Sequence, residues 1–75
     1  MLQTDAFDAD TAAMLRQIYD TVCAQYVSLA PDEQGMRETI AAAIEGIASN
    51  GQRKRERILR YARFKAAEQF SAPPT

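Results

Sequence analysis

Histidine and tryptophan are absent from this chain, cysteine occurs once, and glycine and proline occur three times each. A single thiol, Cys23, cannot form an intramolecular disulfide, and its isolation fits a reducing compartment. Without histidine there is no Cys/His zinc site and no nucleophile activated by an imidazole. The chain also lacks a glycine-rich phosphate loop. Charge-free runs such as Thr39 to Ile44 fall far short of the ~20 apolar residues that span a bilayer. Met1 to Asp10 holds three aspartates and no basic residue, unlike a secretory leader. These absences lead us to expect a cytoplasmic protein that is not an enzyme and has no metal, cofactor or membrane partner.

At 75 residues there is room for one domain, near the lower limit for folding alone. Chains of this size commonly gain stability from disulfides, a metal or a second copy. With the first two excluded, a homodimer is expected.

Apolar residues recur at helical spacing, and no strand pattern appears. The expected class is all-α, a single three-helix domain with helices at about 8–29, 36–50 and 52–70 and disordered ends at about 1–6 and 71–75. Asp8 caps the first helix, Asp10 lies in its first turn, and Phe7 folds back as a staple. Leu15, Ile18, Tyr19, Val22, Tyr26 and Leu29 form its apolar stripe, widened by Ala12, Met14 and Cys23. Cys23, at the stripe's edge, reads as a buried thiol. Pro31 and Gly35 punctuate a loop or single turn. The second helix carries Met36, Ile40, Ala43, Ile44 and Ile47 and stops at Asn50-Gly51. Ile58, Leu59, Ala62, Ala66 and Phe70 are the buried stripe of the third.

A second stripe on helix two contains only small residues: Gly35, Thr39, Ala42, Gly46 and Ser49. Glycine inside a helix costs on the order of 1 kcal/mol against alanine. Either another backbone approaches there, making Ala42 and Gly46 a self-contact, or Gly46 is tolerated on a wet face.

Charge is divided along the chain. Residues 1–50 carry eight carboxylates against Arg16 and Arg37, while residues 51–75 carry seven basic residues against Glu56 and Glu68. Projected on a helix, Arg53, Arg57, Arg60 and Arg63 share one face, with Phe64 among them and Tyr61 at the edge. This face is the candidate partner-binding surface. Its plainest reading is a solvated face whose arginines meet the acids of the first two helices, with Phe64 covered by packing or by a second copy. Arginines interleaved with aromatics also suit nucleic acid, gripping phosphate while a ring stacks on a base. The chain's pI of about 5.2 argues against that use. Helix two, the turn and helix three have the outline of a helix-turn-helix, but charges stand where the second helix of that motif needs core contacts.

Asp5, Asp8 and Asp10 do not make a calcium loop, because the turn glycine and closing glutamate are missing at the required spacing. Capping explains them better.

Phe7-Asp8-Ala9-Asp10-Thr11, with Leu15 and Tyr19-Asp20, opens a longer pattern. Arg37, Ile40-Ala41, Ile44, Ile47-Ala48, Gly51, Ile58-Leu59 and Ala62 complete it. Over about residues 7–66 the chain resembles short helical proteins of unknown function from alphaproteobacteria. The segment after the glycine usually mixes acids with its arginines, whereas here Arg53-Lys54-Arg55 comes first. The resemblance implies a small bacterial helical fold and carries over no activity or site. The expected role is a small interaction or regulatory protein that binds itself or another protein. Nucleic-acid binding through the third helix is the alternative.

Overall fold

The computed structural model describes residues 2–71, with side chains as far as Gln69. Three helices follow one another: α1 (Ala9–Tyr26), α2 (Glu33–Ser49) and α3 (Arg55–Ser71), with a 3-10 turn at Val27–Leu29 after α1. The described residues contain no strand, so the three-helix, all-α expectation holds. The expected disorder at Met1 and over 72–75, and the burial of Phe70, fall outside the described residues.

Each helix end has a local cause. Asp8 Oδ1 accepts the Thr11 backbone N–H at 3.3 Å, filling one of the unpaired donors at the start of α1. Bonding from Thr11 holds the Asp8 carboxyl below its ordinary range, and the Arg53 guanidinium adds to the effect. The α-helix closes with Val27 N–H on Cys23 O. The next three residues then tighten into the 3-10 turn, where each step rotates further than in an α-helix. That rotation carries Leu29 out of the apolar stripe it was expected to share, and it is 70% exposed.

α2 begins at Glu33, three residues before the expected start. Asp32 is its cap, accepting the Gly35 backbone N–H at 3.0 Å, and Glu33 lies in the first turn where negative charge is favoured. Gly35 is therefore helical. A Cβ there would run into the Asp32 carboxylate. At the other end Gly51 adopts φ 99°, Gly51 N–H donates to Ala48 O at 3.0 Å, and Gln52 N–H donates to Ile47 O at 3.2 Å. This pair of bonds is the Schellman arrangement, and it closes α2 as the Asn50-Gly51 signal predicts. Because Gln52 faces back to α2, α3 starts at Arg55, not at 52. The Lys54 carbonyl receives the Arg57 and Ile58 N–H groups at 3.0 Å each.

The core lies between all three helices. Leu15, Ile18 and Val22 of α1, Ile40, Ile44 and Ala48 of α2, and Ile58, Ala62 and Ala66 of α3 are completely buried. Met36, Cys23 and Val27 complete the cluster, and Leu2, Phe7, Met14, Tyr19, Ile47 and Leu59 pack on its margins. Each large aliphatic side chain removed from water contributes about 1.5–3 kcal/mol. No charged or polar side chain is buried among the described residues. The segment before α1 is tied across the bundle: Gln3 N–H donates to Glu45 Oε2 at 3.1 Å, and an Arg16 N–H donates to Thr4 Oγ1 at 3.2 Å.

Candidate functional site: the outer face of the third helix

The four arginines that share one face of a projected helix separate in three dimensions. Arg53 precedes α3. Its guanidinium donates to the carbonyls of Ala48 and Gln52 and lies 5.2 Å from the centroid of the Phe7 ring. It satisfies a carbonyl at the end of α2 and clamps Phe7 against the bundle, a structural use of its charge. Arg63 turns toward α1, where its Nε–H donates to Gln25 Oε1 at 3.0 Å. Arg57 and Arg60 remain exposed with Phe64, which is 56% exposed.

Among the described residues the ion pair is Lys65 Nζ to Glu68 Oε1 at 3.4 Å, within α3. The arginines of α3 therefore do not meet the acids of α1 and α2 inside one chain. Lys65 Nζ also sits 5.7 Å from the Tyr61 ring and 6.0 Å from the Phe64 ring. Its charge thus lies near both rings.

Two shallow concavities meet at Arg60. Lys54, Arg55, Glu56, Arg57 and Arg60 line the first, an almost wholly basic surface at the start of α3. The second runs between the end of α2 and the middle of α3 and is lined by Ile47, Gln52, Arg57, Arg60, Tyr61 and Phe64. Its floor is aliphatic and aromatic, and its rim carries two guanidinium groups. Such a surface suits an apolar side chain flanked by carboxylates, since arginine pairs planar anions in a fixed geometry while rings supply buried area. Sequence periodicity located Arg57, Arg60 and Phe64 but missed Ile47 as their neighbour. The signal for Ile47 was its place at the edge of the α2 stripe, one residue beyond Gly46.

The small face of α2 is open. Ala42 and Gly46 are exposed, and a Cβ at Gly46 would meet nothing of the chain within 4 Å. Thr39, on the same face, accepts a hydrogen bond from Gln69 Nε2 at 3.0 Å. Gly46→Ala is expected to stabilise the fold by about 1 kcal/mol, the propensity difference in an exposed helix. Urea denaturation measures it. Destabilisation instead would reveal a close approach by a second chain at that face.

Cys23 is 9% exposed, beside Tyr19 and Arg37. Burial pushes its thiol above the ordinary range, partly offset by the Tyr19 side chain and the Arg37 charge, so it is protonated and a poor nucleophile at neutral pH. Burial likewise raises the Tyr19 hydroxyl, with Cys23 adding to the shift. No group of three or more potential metal ligands occurs among the described residues, and no helix there is long and apolar enough to cross a membrane. Compared with family models, with curated proteins and with solved structures, the chain finds no match.

Proposed function

We propose that this chain is a small non-enzymatic interaction protein that docks polypeptide on the groove between α2 and α3. The observation that carries the reading is the exposed Phe64 beside Arg57 and Arg60, two arginines that pair with no carboxylate among the described residues. An exposed aromatic rimmed by arginine is the composition enriched at the energetic centres of protein interfaces. A partner presenting carboxylates around an apolar residue complements it, and a second copy of the chain is one such partner. The resemblance to small bacterial helical proteins is compatible with this role and adds no specificity.

Nucleic acid is the second reading, favoured by the basic concavity at Lys54, Arg55, Arg57 and Arg60. The eight carboxylates of residues 1–50 on the same small body oppose it.

A photo-crosslinking residue introduced in place of Phe64 tests both in cells. We expect a protein adduct that is lost when Arg57→Glu and Arg60→Glu are added. Adducts with nucleic acid, together with binding that falls steeply with salt, would favour the second reading. The absence of any adduct would end both.

A further inference from the structure

The two large hydrophobic side chains left exposed among the described residues are Leu29 and Phe64. Their surroundings carry opposite charge. Leu29 stands on the 3-10 turn after α1 and is followed by Pro31, Asp32 and Glu33, all exposed. Phe64 lies in the groove rimmed by Arg57 and Arg60. One surface is a leucine knob next to carboxylates, and the other is a shallow apolar concavity next to guanidinium groups. We propose that they are complementary halves of one contact: the Leu29–Glu33 knob of one copy seats in the α2–α3 groove of a second copy.

The chemistry supports a copy of this chain as the occupant. Asp32 is exposed and makes no ion pair among the described residues, and Glu33 likewise has no ion-pair partner there. Arg57 and Arg60 are likewise unpaired there. Ala30 and Pro31 separate the knob from the carboxylates, and neither adds charge or a long side chain to obstruct seating. In a closed two-fold dimer the contact occurs twice, since each chain offers both halves. Each seated leucine exchanges exposed apolar surface for the rings of Tyr61 and Phe64. The carboxylate pairs at the rim set the register and suppress wrong partners more than they add affinity. The inference rests on the interaction reading above and deepens it by naming the partner and both contacting segments.

Mass in solution by light scattering after size exclusion, over a concentration series, tests it. Wild type is expected to be dimeric at tens of micromolar. Leu29→Ser and Phe64→Ser should each weaken association by roughly tenfold or more, as expected for losing a central apolar anchor. Both sites are exposed, so far-UV circular dichroism should remain that of a folded helical protein. Arg60→Glu alone and Glu33→Arg alone should weaken the dimer, and the double variant in one chain should recover it, because the pairing of position 60 with position 33 across the contact is restored with reversed sign.

A wild-type monomer at every concentration overturns the inference, as does a dimer indifferent to Leu29→Ser or a charge reversal that the double variant fails to rescue. Loss of the dimer on Gly46→Leu with no effect of Leu29→Ser would place self-contact on the small face of α2 and also overturn it. The two proposals fail differently. A monomer whose position 64 still crosslinks to other proteins retains the interaction reading and loses only the self-contact.

Discussion

Ile44→Ala is expected to remove most of the stability of this chain and leave it largely unfolded at physiological temperature. Ile44 is completely buried in the middle of α2, within the core cluster that also contains Leu15 and Ile18 of α1 and Ile58 of α3. Truncating a buried isoleucine loses the transfer free energy of the deleted methyl groups and adds a cavity term, together about 2–5 kcal/mol. A single core in a domain this small rarely supplies more than about 3–5 kcal/mol of net stability. The two ranges overlap, which makes the substitution decisive instead of merely weakening. Urea denaturation followed by far-UV circular dichroism measures the effect, with Gln17→Ala, exposed on α1 and outside the proposed contact, as the control expected to stay within about 0.5 kcal/mol. A cost for Ile44→Ala below about 1 kcal/mol would mean that the helices do not pack on this residue. If the chain also self-associates, raising its concentration should recover part of the folded population, since association acts on the folded state by mass action.

Helix number and core stripes were legible in the sequence because they rest on periodic burial. Leu15, Ile18 and Val22, then Ile40 and Ile44, then Ile58, Ala62 and Ala66 all lie where a 3.6-residue period puts them. Local chemistry explains the departures. Asp32 offered a capping side chain that outweighed the punctuation of Pro31 and Gly35, so α2 starts early. The backbone bonds around Gly51 consumed the N–H of Gln52, so α3 starts late. Arg53 then stands outside the helix, and a wheel projection cannot describe it.

The candidate site was half legible for the same reason. Periodicity placed Arg57, Arg60, Phe64 and Tyr61 together because they share one continuous helix. It could not foresee Ile47, which faces them from another helix, nor Leu29, whose exposure depends on a change of helical type after Tyr26. The charge division had a definite outcome as well. An acidic first part and a basic last part of one small fold suggested internal pairing, yet Arg53 and Arg63 are taken by carbonyl and amide oxygens, and Arg57 and Arg60 by none of the described carboxylates.

Ala62→Leu is the second large effect, and it links the core to the groove. Among the fully buried described residues of α3, Ile58 is the large one, while Ala62 and Ala66 are alanines that let the helix lie close to its neighbours. Interaxial spacing follows the side chains at the contact. A leucine at Ala62 has no free volume to occupy, so α3 must shift or its side chain must leave its preferred rotamer, at a cost of about 1–3 kcal/mol. Ala13→Leu, on the exposed side of α1, provides the control and should be close to neutral. Urea denaturation reads both, and equal stability of the two variants would show that α3 is not seated closely on the core. A folded Ala62→Leu population should also be impaired in docking. The groove has Ile47 on α2 and Tyr61 with Phe64 on α3, so its width depends on the spacing of those two helices. Moving α3 outward separates the apolar floor beneath Arg57 and Arg60 without altering any exposed residue. Association should therefore weaken in Ala62→Leu even under conditions where the chain remains helical, whereas Ala13→Leu should associate like the wild type.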